Sequence, residues 1–185
     1  MSSAAALVAR WRVRLGYFLA VFVFFFARPT PKSVAIGAAI GLAGLWLRAY
    51  AAGYLHKQER LTVTGPYAYT RNPLYLGSAI LALGVGVATR SWISAAILLI
   101  YFAVVYNVVM RREEGELLGH HGPAFQAYSA AVPLFWPRLT PARMPGANAG
   151  QFSFAQYKKN HEYQAVLGYL LLLCALLLLW WLRSR

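Results

Sequence analysis

The chain has 185 residues, of which 59% are hydrophobic, 15% aromatic and only 12% charged, with a mean hydropathy of +0.48, which excludes an ordinary soluble domain and points to the bilayer. Its formal charge is +13, from 18 Lys and Arg against five acids, all glutamates. Because the cations flank apolar runs, they point to membrane topology and contact with anionic lipid rather than to nucleic acid.

A bilayer core about 30 Å thick takes about 20 apolar residues as a helix, and five runs approach that length. The first, residues 13–27, is short and aromatic and follows Arg10, Arg12 and Arg14. No small-residue cleavage site follows it, because "ARPTPK" leads straight into the next run, so it reads as a retained helix rather than a signal peptide. The second, residues 33–55, carries Gly37, Gly41 and Gly44 at helical spacing, a pattern that permits close approach of a neighbouring helix. It also holds Arg48, the one charge inside a span. Such a charge costs about 2.5 to 3.5 kcal/mol on insertion scales, which leaves three outcomes: a glutamate partner, a ligand, or snorkelling to the nearby polar end.

The third run, residues 73–89, opens on Pro73, which suits the first position of a helix. "ATRS" then makes a tight hairpin into the fourth run, residues 91–110, and the fifth spans residues 163–182. Cys174 lies in the fifth run; a lone cysteine permits neither an internal disulfide nor a paired-cysteine metal site, so no metal is expected.

Lys and Arg counted over alternate connections put 12 on one side and 5 on the other, which predicts a cytoplasmic N-terminus. The polar segments 56–72 and 111–162 then share the cytoplasmic side. In the second segment Glu113 and Glu114 are expected to end the fourth span beside Arg111 and Arg112, where glutamates oppose the helix dipole unless they have a partner. His120 and His121, in a Gly-rich turn, are candidate bases, although such pairs more often serve as surface polar residues.

The two segments together carry a pattern. "LTVTGPYAYTRNPLYLG", a helical hairpin, and "EEGELLGHHGPAFQAYSAAVPLFWP" resemble the signature of the isoprenylcysteine carboxyl methyltransferase family and its bacterial relatives, themselves related to membrane phospholipid methyltransferases. The resemblance covers residues 44–138. It rests on a Gly-x-Tyr and an Arg-Asn-Pro-x-Tyr-x-Gly element before one span, and on a Glu-Glu pair followed by Gly-x-x-Phe-x-x-Tyr after the next. Asn72 stands where the family commonly has histidine, and Val109 where the eukaryotic prenylcysteine enzymes have a substrate-associated arginine.

The resemblance implies an all-α polytopic bundle of about five spans, with residues 1–138 as a methyltransferase core and residues 139–185 as linker, interfacial segment and last helix. It implies S-adenosylmethionine as cofactor, held on the cytoplasmic face of the inner or plasma membrane, with Leu61, Thr62, Tyr67, Asn72, Pro73, Leu74, Tyr75 and Glu113 around it. Glu114, Arg112 and Arg48 are the catalytic candidates: Glu114 as a base for an amine or hydroxyl acceptor, Arg112 for its closeness to the Val109 position, and Arg48 as the charge within a span. The expected partner is a lipophilic acceptor, such as an isoprenylcysteine-like carboxylate or a phospholipid amine, drawn from the membrane lipids. A sterol-reductase-like protein shares a similar element but uses a reduced nicotinamide cofactor and more spans; a non-catalytic scaffold would use the polar clusters only as helix anchors.

Overall fold

The computed structural model describes residues 16, 18–56, 60–145 and 150–185, and among them the chain is all helix with no strand. The helices are α1 (residues 18–26), α2 (Pro31–Tyr54), α3 (Pro73–Thr89), α4 (Trp92–Tyr101), α5 (Asn107–Ala131), α6 (Phe154–Lys159) and α7 (Tyr163–Arg183). A 3-10 turn, Gly65–Ala68, precedes α3, and a π-helical stretch, Phe102–Tyr106, joins α4 to α5 without a break. Among the described residues three helices are long and apolar enough to cross a membrane (Pro31–Tyr54, Trp92–Ala131 and Tyr163–Arg183), and Pro73–Thr89 is a shorter apolar helix. Part of the expected first span, and the arginines before it, lie outside the described residues.

Local chemistry sets the helix boundaries. Thr30 and Ser33 form a reciprocal capping box at the start of α2, with a proline in the first turn. Asn72 holds the N-cap position of α3 without a side-chain capping bond, ahead of Pro73 at the first helical position, and α3 ends at Arg90, which adopts the left-handed conformation at φ 49°. Ser91 then caps α4 by accepting from Ser94 N–H. The expected hairpin is therefore present.

The fourth span does not stop at residue 110. The helix runs on through the polar residues to Ala131, because that stretch is rich in helix formers, and Arg111–Glu114 and Arg112–Glu116 pair across one turn on its surface. Glu113 and Glu114 thus lie within a helix, and the dipole argument for a partner does not apply to them. The anticipated Gly-rich turn is also helical up to Gly122, where φ 49° and ψ −124° together with Pro123 kink the axis.

The bundle core is made by close approach. Gly37 lies against Gly84 and Ala88, and Gly44 against Gly77 and Leu81, so α2 and α3 meet almost backbone to backbone. The Tyr169 ring of α7 fills the space over Gly41, and its hydroxyl donates to the Gly37 carbonyl at 2.8 Å. Val23, Leu45, Val85 and Tyr169 form one buried cluster; Ala27, Val34, Ala88 and Leu176 form a second.

Two ends result. At one, Arg28 N–H donates to the Thr89 carbonyl at 2.8 Å, and Arg183 reaches the Ala27 carbonyl. The other collects the end of α2, the start of α3, α5 and the start of α7. There the segment after residue 150 caps α2: Ser153 N–H donates to Gly53 O at 3.1 Å, and the Asn160 amide donates to Ala52 O and Leu55 O at 2.8 and 2.9 Å. These bonds satisfy carbonyls that the last turn of a helix leaves open. The stretch "FSFAQYKKNHEY", residues 152–163, thus packs on the end of α2 and caps it.

Candidate functional site

At the second end, the turn Gly65–Ala68 and the start of α3 are fastened to the chain after α5. Thr70 Oγ1 donates to Phe135 O at 2.9 Å, the Asn72 amide to Leu134 O at 2.9 Å, and Arg71 N–H to Pro133 O at 3.0 Å. The Tyr128 hydroxyl donates to Tyr67 O at 2.8 Å. Phe125, Tyr128 and Val132 form a buried cluster with Leu61 and Val63 beneath these bonds. The two sequence segments are therefore one packed unit.

Its polar centre lies between α3 and α5. Tyr75 donates its hydroxyl to Glu113 at 2.6 Å, a short bond to a carboxylate. Tyr106, in the π-helical stretch, packs edge-on to Tyr75 with ring centroids 5.2 Å apart and stacks on Phe102 at 4.4 Å. A π-helical insertion alters the phase of a helix, and here its last residue, Tyr106, packs on Tyr75 of α3. The next residue, Glu114, pairs with Arg71 and, at 3.2 Å, with Arg111.

Tyr67 completes the centre. Its ring is buried, its hydroxyl has no hydrogen-bond partner among the described residues, and it lies within electrostatic reach of Glu162, Glu113 and Tyr75. Burial, with those neighbouring acidic groups adding to it, holds its phenol pKa well above the ordinary 10.0, so the group is a protonated donor at any working pH. Arg71 Nε is a second buried donor without a partner. Two orphaned donors beside a carboxylate and several aromatic rings fit a small ligand that carries both a positive group and acceptors.

Arg48 lies one layer toward the membrane. Its guanidinium grips Glu162 in a fork, Nε to Oε2 at 3.0 Å and Nη2 to Oε1 at 2.8 Å, and also bonds Ser78 and the Leu74 carbonyl. Of the outcomes open for this charge, the structure shows the glutamate partner. Arg48 lines a wide-mouthed cavity of about 280 Å³ with Ser78, Tyr106, Gly168, Tyr169 and Leu172, where α2, α3 and α7 meet. That volume falls at the lower edge of small-molecule sites and suits part of a lipophilic molecule better than a nucleotide.

The remaining sequence candidates divide. Asn72, Pro73 and Leu74 sit at the mouth of α3, next to Tyr75. Leu61 faces the Phe125–Tyr128 cluster, and the Thr62 hydroxyl accepts from His56 N–H at 3.3 Å, so both lie to the side of the Tyr75–Glu113 pair. Arg112 turns outward to Glu116 at 2.8 Å on an exposed face. His120 is exposed and contacts the Glu116 carbonyl. Sequence reasoning missed Glu162, Arg71 and Tyr106 as site residues. Glu162 was open to discovery, as a lone acid at the start of a span on the same side as the one intramembrane charge.

A helical membrane bundle with a tyrosine–carboxylate pair at one end, bordered by a cavity between its helices, defines an integral membrane protein. The chain belongs to the phospholipid methyltransferase family, whose profile matches residues 11–122. The wider superfamily includes the isoprenylcysteine carboxyl methyltransferases, and the methyltransferases of this family generally use S-adenosylmethionine.

Two curated relatives are similar. The nickel-cobalt-cadmium resistance protein NccN of Alcaligenes xylosoxydans xylosoxydans is 40% identical over 96 residues, covering 52% of this chain and 44% of the relative. The cobalt-zinc-cadmium resistance protein CzcN of Cupriavidus metallidurans is 32% identical over 139 residues, covering 70% of this chain and 63% of the relative. The chain thus matches less than two thirds of the length of either. No solved structure matches it significantly.

Proposed function

We propose that the chain transfers a methyl group from S-adenosylmethionine to a lipophilic acceptor that reaches the site from the bilayer, with residues 1–138 as the catalytic core and the site on the cytoplasmic side. The observation that carries this reading is the 2.6 Å bond from Tyr75 to Glu113, which joins the two sequence elements at one point. When bound, the cofactor supplies a methyl group activated by a sulfonium. Glu113 would offset its positive charges, the rings of Tyr67 and Tyr75 would enclose it with Asn72, Pro73 and Leu74, and the orphaned Tyr67 and Arg71 donors would meet its acceptors. Leu61 and Thr62 would border the nucleotide from the side.

Methyl transfer is a displacement at carbon, so the contribution of these residues is to hold the acceptor in line and keep water out. Arg48 and Ser78 offer an anionic acceptor a place at the polar end of the cavity. This suits an isoprenylcysteine-like carboxylate, which needs no base. The family match favours a second acceptor, the amine of a phosphatidylethanolamine-type lipid, whose deprotonation would fall to Glu114 or Glu113. The names of the relatives add a setting, metal resistance, in which methylation would alter a membrane constituent; among the described residues no three His, Cys, Asp or Glu are grouped to hold a metal.

Titration of the purified protein with S-adenosylmethionine tests the reading. Tyr75→Phe and Glu113→Gln should each weaken binding by roughly tenfold or more, the size of a lost hydrogen bond to a charged group. Wild-type protein that binds NADPH and not S-adenosylmethionine would reject it. A methyl-transfer assay on a farnesylated cysteine analogue and on phosphatidylethanolamine then separates the two acceptors.

A further inference from the structure

A larger cavity lies away from this site. It is a groove of about 620 Å³ between α3 and α4, floored by Ala79, Ala82, Gly86, Ala95 and Ala96, closed at depth by Phe102, and reaching Arg90, Ser91 and Trp92 at the hairpin end. Small side chains on both facing helices leave the space open. Along α3 and its C-cap it runs the eleven steps from Ala79 to Arg90, about 16 Å at 1.5 Å per step, close to one leaflet of a core about 30 Å thick.

The charge at its mouth is one-sided. Arg90 is exposed, and its guanidinium has no partner among the described residues. The backbone of Arg28 is tied to Thr89 next door, and Lys32 and Arg183 belong to the same end. All four described glutamates, Glu113, Glu114, Glu116 and Glu162, sit at the opposite end. The first turn of α4 adds its partial positive charge at the same place, and the Trp92 ring, almost fully exposed, is of the kind that settles at headgroup level.

We infer that this groove is a binding site for an anionic phospholipid, one acyl chain lying against Ala82, Gly86 and Ala96 and the headgroup phosphate meeting Arg90. The lipid belongs to the leaflet opposite the methyl-transfer site and is a resident ligand rather than the acceptor. Charge complementarity selects the occupant: a zwitterionic lipid fills the groove equally well but gains less from an uncompensated cationic rim.

Native mass spectrometry of the full chain in detergent tests this with phosphatidylglycerol and with phosphatidylcholine of the same acyl chains. Wild type should retain phosphatidylglycerol in preference. Arg90→Gln should weaken that retention about fivefold, the factor expected of one cation near the surface, and Arg90→Lys should restore it. Ala96→Phe, at an exposed position where the larger ring meets open space, should expel both lipids. Glu113→Gln, whatever it does to cofactor binding, should leave the retention of both lipids as in wild type. Equal retention of the two lipids by wild type, or an unchanged Arg90→Gln, would overturn the inference. So would loss of the lipid in Glu113→Gln, which would place it at the other site, or a dimer abolished by Ala96→Phe, which would assign the groove to a second copy.

Discussion

Replacing Glu162 with alanine removes the partner of a guanidinium held within the bundle. The two side chains are only 20% and 11% exposed, and their fork makes two hydrogen bonds at 2.8 and 3.0 Å, so water takes over little of what the carboxylate supplied. Arg48 keeps only Ser78 and the Leu74 carbonyl, both neutral acceptors. Breaking a buried pair from one side costs about 3 to 5 kcal/mol, and these two residual bonds put the expected loss at the lower figure, about 3 kcal/mol. On the soluble-protein scale that is roughly 6 to 12 °C in melting temperature. Thermal unfolding in detergent measures it, and Arg48→Met combined with Glu162→Ala should recover most of the loss, because the double variant buries no unpaired charge. A single-variant loss below about 1 kcal/mol, or purely additive effects in the cycle, would show that Arg48 simply reaches water and that α7 is not held through it.

Two other substitutions probe the site and the packing. Tyr67→Phe removes a buried hydroxyl that has no partner, so stability should stay level or rise by up to about 1 kcal/mol while S-adenosylmethionine binding weakens. The Tyr67 phenol has a raised pKa in the folded protein, so its contribution is fully present below pH 10 and falls as pH climbs from there; the alkaline limb of a pH–stability profile should be shallower in Tyr67→Phe. An equally steep limb in the variant would remove Tyr67 as its source. Gly84→Ala places a methyl 2.7 Å from Gly37 O and 2.8 Å from the Tyr169 hydroxyl, which forces α2, α3 and α7 apart at about 1 to 3 kcal/mol. Gly86→Ala, whose methyl meets Ala95 at an ordinary 3.5 Å, should cost nothing measurable and serves as the control in the same melt.

The helical bundle and most of its spans were legible in the amino-acid sequence, because apolar length and the capping chemistry of Pro73, Ser91 and Thr30 act locally. The kinship was legible too, since the spacing of its two elements survives in the chain order. What extended the fourth helix past residue 110 was side-chain pairing along its surface, which hydropathy does not register.

Convergence was a different matter. That Tyr75 meets Glu113 while Arg112, next to it in sequence, turns away depends on the phase of one helix relative to another, which is set by the π-helical stretch and by glycine contacts between α2 and α3. That Arg48 finds Glu162, 114 residues further on, depends on α6 capping α2 and delivering the start of α7 to that level. Local composition determines which residues enter the membrane and where helices begin; only packing in three dimensions decides which charges are paired, which donors remain unmatched, and where space is left for a ligand.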